Sequence, residues 1–140
     1  MQTVYVVDAD SAIRDALKTL LESFDIPVKA YADSNTFLQE VRNTSEGCVL
    51  VEAEQPSLNG LGLVRALRKT GNTIPVALLT NNTDSAFKER ARRAGAVGVF
   101  QKPFIHDELI NHVRALVGHA PLADRPAPEA ARKPFQKIRQ

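Results

Sequence analysis

With a single cysteine, Cys48, in 140 residues, the chain has no internal disulfide. Cys48 lies in an apolar run and reads as a small buried hydrophobe rather than a reactive thiol. No apolar stretch approaches the ~20 residues that a membrane helix requires. The opening Met1-Gln2-Thr3-Val4 lacks the basic start and long apolar core of a secretory signal. A reducing, cytoplasmic setting is the expectation, with no membrane partner. His106, His112 and His119 have no metal-ligand partners at useful spacing, and His106 and His112 are expected on a solvated helix face. No internal repeat is visible. A basic domain is lacking too: net charge is +2, but the first 118 residues hold 13 basic and 14 acidic side chains. The excess sits after Gly118, so the charge does not mark a nucleic-acid-binding domain.

What is present is a globular composition, 44% hydrophobic and 24% charged. Residues 1–118 read as one domain. Residues 119–140 hold Pro121, Pro126 and Pro128 among alanines and charges and read as a flexible linker or basic tail, with Pro134 interrupting any short helix.

Short apolar runs alternate with amphipathic ones. Strands are predicted at Thr3–Val7, Pro27–Tyr31, Cys48–Glu52, Pro75–Leu79 and Val97–Phe100. Between them, Ile13, Ala16, Leu17, Leu20, Leu21 and Phe24 recur at helical spacing, with Arg14, Asp15, Lys18 and Glu22 on the opposite face. Ser11 or Asp10 can cap that helix. A short helix carrying Phe37, Leu38 and Val41 opens at Asp33 or Ser34, and Thr44–Gly47 is a turn. The helix from Gly60 carries Leu61, Leu63, Val64 and Leu67. A charged helix with Lys88, Glu89, Arg90, Arg92 and Arg93 is capped by Thr83 or Asp84 and stops at Gly95. The last helix, Ile105–Val117, buries Leu109, Ile110, Val113, Leu116 and Val117. Five strands alternating with five helices predict an α/β fold, a parallel sheet covered on both faces. Right-handed crossovers then bring all the strand ends to one rim. The polar residues there are Asp8, Asp10, Glu52, Thr80 and Lys102.

A carboxylate cluster facing a lysine and a threonine can carry out phosphoryl transfer to a carboxylate. One acid is the nucleophile, others hold Mg2+, and Thr and Lys bind phosphoryl oxygens. At this point the chain resembles the receiver domain of two-component response regulators across residues 3–117. The landmarks are Val6-Val7-Asp8, the Pro56/Gly60 loop, Thr80, Ala94-Gly95-Ala96 and Lys102-Pro103-Phe104. The texture is most similar to the nitrogen-fixation-regulator subgroup, in which a helix-turn-helix output domain often follows. The resemblance implies a doubly wound, flavodoxin-like (βα)5 sheet in the order 2-1-3-4-5. It also implies roles for Thr80, Lys102 and Pro103, with a cis Lys102-Pro103 bond.

The departures shape the functional expectation. The phospho-accepting Asp of the family falls on Glu52, and the second acid of the metal-binding pair falls on Ala9, leaving Asp8 with Asp10 nearby. Asp10 replaces the lost ligand only if the loop rearranges. Val99 stands at the aromatic switch position and Gln55 at a usual methionine. A glutamate carries the right charge, but its extra methylene displaces the carboxylate by about 1.5 Å, enough to cost roughly 10²-fold in a positioned reaction. Losing the acid at Ala9 weakens a hard cation held by few charged oxygens. The expectation is a non-enzymatic pseudo-receiver, a signalling protein-interaction module with no required cofactor and weak Mg2+ binding at most. Glu52 is expected to reach toward Thr80 and Lys102, either imitating a phosphoryl group or forming a relict ion pair with Lys102. The alternatives are a working phospho-accepting receiver in a phosphorelay, or the receiver part of a DNA-binding transcriptional regulator. A histidine kinase or another signalling protein is the implied partner, and a homodimer could form through the fourth helix, fifth strand and fifth helix. DNA would be bound only through an output domain or the basic tail.

Overall fold

The computed structural model describes residues 2–41, 46–55, 58–81, 84–103 and 106–117. The predicted Pro56 loop position, Thr83, Phe104 and the 119–140 tail lie outside them, as do Thr44 and Ser45 of the predicted Thr44–Gly47 turn. The elements alternate strictly: β1 (Val4–Val7), α1 (Ser11–Glu22), β2 (Val28–Tyr31), α2 (Ser34–Glu40), β3 (Cys48–Glu52), α3 (Gly60–Lys69), β4 (Val76–Thr80), α4 (Ser85–Ala94), β5 (Gly98–Gln101) and α5 (His106–Leu116). All strand pairings are parallel, and the sheet order is β2-β1-β3-β4-β5. Each predicted element exists, with ends within one or two residues of expectation.

The residue pattern explains the two layers. Side chains alternate across a strand, so neighbouring residues enter different cores. Val4, Val6, Cys48, Leu50, Ala77 and Leu79 pack under α1 and α5, against Leu17, Leu21, Phe24, Leu109, Ile110 and Val113. Tyr5, Val7, Val49, Val51, Val76 and Leu78 face the other way, against Phe37, Leu63, Val64, Leu67, Phe87 and Ala91 on α2, α3 and α4. β1, β3 and β4 are buried at every residue, whereas the edge strands β2 and β5 are partly open. Burial pushes the Cys48 thiol up to about 12, in keeping with an inert core position.

Helix ends follow local chemistry. Asp10, Asp33, Asn59 and Asp84 are the N-caps, each accepting from a backbone N–H in the first turn. That decides the caps left open by the sequence in favour of Asp10, Asp33 and Asp84. Gly95, at φ 106°, ends α4 in the left-handed region where a β-carbon is unfavourable. α4 buries Phe87 and Ala91 against its side of the sheet. Arg68 supplements that packing from the end of α3 by donating through Nη2 to Gly95 O at 3.1 Å.

Three side chains depart from the predicted faces. His112 is half-buried on α5, not solvated: its ring meets Phe100 edge-on at 5.0 Å. Arg114, outside the predicted core, is 1% exposed with its guanidinium 5.8 Å from the Phe24 ring centroid. Arg14, expected on the polar face of α1, turns back toward the end of β1. A long side chain can leave the direction its helical position implies, which spacing alone does not register.

Two outcomes follow. Gly60 opens α3 where an added β-carbon would lie 2.7 Å from Leu78 Cδ2 and 3.0 Å from Ala53 Cα. Gly60→Ala should therefore lower the unfolding free energy by about 1–3 kcal/mol in urea titrations. Burial holds the His112 imidazole below its ordinary 6.5. The unfolded chain then binds that proton more readily, so this contribution is present above 6.5 and is lost as pH falls through the lowered folded value. His112→Phe should shrink the stability difference measured between about pH 7.5 and pH 5.5.

Candidate functional site

Parallel strands joined by helices leave their carboxyl ends on one rim, and ligands of open α/β sheets bind outside that rim. β1 runs out into Asp8, β3 ends on Glu52, β4 on Thr80, and β5 leads through Gln101 into Lys102. Asp8, Glu52 and Thr80 are buried, at 2%, 9% and 0% exposure, among strands that are otherwise almost wholly apolar. Buried charges of this kind persist only when paired.

The pairing is specific. Lys102 Nζ contacts Glu52 Oε1 and lies 3.6 Å from Asp8 Oδ2. One ammonium thus faces carboxylates from two adjacent strands. Asp8 Oδ1 accepts from Asp10 N at 2.9 Å, while Oδ2 accepts no hydrogen bond among the described residues. Glu52 Oε2 accepts from Glu54 N at 3.1 Å. The Lys102 backbone N–H donates to Thr80 O at 2.7 Å, and the Lys102-Pro103 peptide bond is cis.

The sequence-based expectation for Glu52 needs one correction. Glu52 contacts Lys102, but the Thr80 hydroxyl donates to Oε2 of Glu54. A buried hydroxyl left unpaired costs about 1–3 kcal/mol, so Thr80 requires such a partner. Glu54 is exposed in the loop after β3, and the turn at Ala53-Glu54 brings its side chain back over the rim. A second acid two residues past Glu52 was visible in the sequence, but only loop geometry decides which acid meets Thr80.

Other predicted residues are placed differently. Asp10 spends its side chain on Ala12 N, at 2.9 Å, as the cap of α1. Ala9 contributes its carbonyl, which with that of Asp8 accepts from Arg14 Nη1, at 3.2 and 2.7 Å. A guanidinium therefore lies beside the position where the resemblance calls for a second acid. Gln55 Nε2 donates to Ser34 Oγ at 3.1 Å and to Glu52 O at 3.3 Å, a polar tie between the end of β3 and α2. Val99 is partly buried against the α2–α3–α4 core. No group of three or more His, Cys, Asp or Glu among the described residues has the arrangement of a metal site. No described helix is long and apolar enough to cross a membrane.

Along α4 and β5 a groove of about 250 Å³ is lined by Lys88, Arg92, Ala96, Val97, Gly98 and Val99. Arg92 and Arg93 both hold Glu89, at 2.6 and 3.1 Å, on a solvated face. Those pairs hold the Glu89 carboxyl below the usual range, chiefly through the Arg92 hydrogen bond. Exposed pairs of this type contribute little to stability.

Removing Lys102 tests the pairing. Lys102→Met leaves Asp8 and Glu52 facing each other without a cation, and breaking a buried pair from one side costs roughly 3–5 kcal/mol. Urea unfolding at neutral pH should show a loss of that order, and the double variant Lys102→Met with Glu52→Gln should recover part of it.

Comparison with known proteins agrees with this architecture. The profile described as response regulator receiver domain matches residues 4–114. The response regulator protein TodT of Pseudomonas putida is 31% identical over 128 residues, covering 91% of this chain and 56% of TodT. The transcriptional regulatory protein FixJ of Bradyrhizobium diazoefficiens is 31% identical over 117 residues, covering 84% of this chain and 57% of its own. The chain thus spans a little over half the length of these relatives. Among solved structures, the receiver domain of the Francisella response regulator 1452 superposes with a TM-score of 0.79 at 27% identity, over 84% of this chain and 98% of that one. With the fold, the strand-end residues and the profile in agreement, the chain belongs to the response regulator receiver domain family.

Proposed function

We propose that this chain is a pseudo-receiver: a signalling module that docks protein partners in a conformation held by internal ion pairs rather than by aspartyl phosphate. The observation that carries the reading is the Lys102 ammonium shared between Glu52 and Asp8. In that arrangement the carboxylate at the family's acceptor position is already neutralised, and the lysine is already engaged. Glu52 is then a structural anion, not a nucleophile, and the module has no catalytic residue of its own. Thr80, Lys102 and Pro103 keep the signalling positions without their usual phosphoryl ligand, and Val99 offers no ring to reorient.

The same donor set argues against Mg2+ as a working cofactor. Asp10 is committed to its helix cap, Ala9 supplies no carboxylate, and Arg14 adds positive charge at the same loop. Among the described residues, Asp8 Oδ2 is a buried carboxylate oxygen without a hydrogen bond, and it lies 3.6 Å from Lys102 Nζ. A hard cation that prefers several charged oxygens is poorly served there.

A histidine kinase or another signalling protein is the proposed partner class. The groove along α4 and β5, with exposed Val97 at 45%, is the proposed contact for an output partner or a second copy. A second reading is favoured by the lengths of TodT and FixJ: the chain would be the receiver portion of a transcriptional regulator whose DNA-binding part is separate. The two readings are compatible.

The deciding experiment is incubation with acetyl phosphate and Mg2+ followed by intact mass spectrometry. The mass should be unchanged for the wild-type chain. A stable adduct of one phosphoryl group, absent in Glu52→Gln, would instead establish a working phospho-acceptor. Isothermal titration with Mg2+ should show no saturable binding at submillimolar concentration, and Ala9→Asp should strengthen whatever binding exists.

A further inference from the structure

The rim contacts close into a ring. Lys102 Nζ contacts Glu52 Oε1, and Glu52 Oε2 accepts from Glu54 N at 3.1 Å. Glu54 Oε2 accepts from Thr80 Oγ1, and Thr80 O accepts from Lys102 N at 2.7 Å, which returns to the starting residue. The ring joins the ends of β3 and β4 to the segment leaving β5. Three of its members, Glu52, Thr80 and Lys102, are buried or half-buried, and only Glu54 is exposed.

We infer that Glu54 is the positioning residue of this site: by holding the Thr80 hydroxyl it fixes, from within the chain, the end of β4 that precedes α4. This rests on the reading of the rim as internally satisfied, and it adds the residue that transmits that state outward. Thr80 is the last residue of β4, and α4 begins at Ser85 after its cap Asp84. With only Phe87 and Ala91 buried, α4 has little packing of its own to fix its first turn. Thinly packed elements open at low free energy, so a restraint at the entry to α4 weighs heavily there. A side-chain hydrogen bond between Thr80 and a loop carboxylate is such a restraint, and it ties Glu54, just past β3, to the end of β4. Because Glu54 is the exposed link, a cationic side chain brought by a docking partner could compete for its carboxylate without entering the buried pair beneath.

Amide hydrogen exchange of the full chain, with Glu54→Ala and Glu54→Gln as variants, tests the assignment. Loss of one hydrogen bond to a charged acceptor should raise exchange at Ala86, Phe87 and Lys88 roughly tenfold in Glu54→Ala, with Val4–Val7 unaffected. Glu54→Gln, which still offers a carbonyl oxygen to Thr80, should restore protection to within about threefold. In a Thr80→Val background Glu54→Ala should add nothing, whereas in Thr80→Ser, which keeps the hydroxyl, its effect should persist. Exchange unchanged by Glu54→Ala, or raised equally with and without the Thr80 hydroxyl, would overturn the inference. If Thr80→Val does not fold, the Ala, Gln and Ser comparisons still decide it. Phosphorylation of Glu52 would refute the pseudo-receiver reading without altering these exchange results, so the two can fail separately.

Discussion

The lysine after β5 lies between two carboxylates that the sheet brings side by side. Asp8 follows β1 and Glu52 ends β3, neighbouring strands whose apolar bodies pack on both faces. Two buried acids at that separation repel each other, and neither has water enough to offset the repulsion. Lys102 offsets it from the far side of β4, while its own N–H continues the backbone pairing onto Thr80. The charge arrangement of the rim depends on that one side chain. Both carboxylates beneath the rim thereby face the same ammonium.

Around that pair, the surrounding loops are held by side chains that each serve a local need. Asp10 satisfies a helix N-terminus, Arg14 gathers the carbonyls of the β1–α1 loop, and Gln55 ties β3 to α2. Each use removes a group from a possible ligand set. The sheet beneath supplies the stiffness: β1, β3 and β4 are buried throughout, so their ends cannot drift independently. α4, by contrast, is joined to the rest by two apolar side chains, the Arg68–Gly95 link and whatever restrains its entry. Conformational information from the rim would therefore emerge first at α4.

Membership of the receiver family and kinship to TodT and FixJ describe a scaffold, and sites grafted on a scaffold set its function. The rim of this scaffold carries Thr80 and Lys102 beside Glu52, Glu54 and Asp8. If, as the resemblance implies, Glu52 and Ala9 stand where receivers carry acids, the first changes reach but not charge and the second removes charge. On the proposed reading, such a chain would keep a surface for partners, the groove beside α4, without the reaction that switches it.

Much of this was legible in the residues themselves. Runs such as Cys48-Val49-Leu50-Val51 can satisfy two packed faces only as a central parallel strand, and the helical spacing of Leu61, Leu63, Val64 and Leu67 admits one buried stripe. Periodicity reports burial, and burial determined the elements, their order and the rim on which Asp8, Glu52, Thr80 and Lys102 meet. Which acid meets which partner was not legible. Glu52 and Glu54 are alike in chemistry and two residues apart; the turn between them sends one to Lys102 and the other to Thr80. Asp10 could have been a ligand or a cap, and His112 and Arg14 could have been solvated. Those outcomes depend on loop paths and long side-chain torsions, where differences of an ångström decide hydrogen bonds and local pattern carries no such resolution. The sequence alone determined the strand-end chemistry available to this protein, because burial periodicity is local. Its internal pairing was decided only by the tertiary structure, because contacts such as the one between residues 52 and 102 exist only once the sheet has formed.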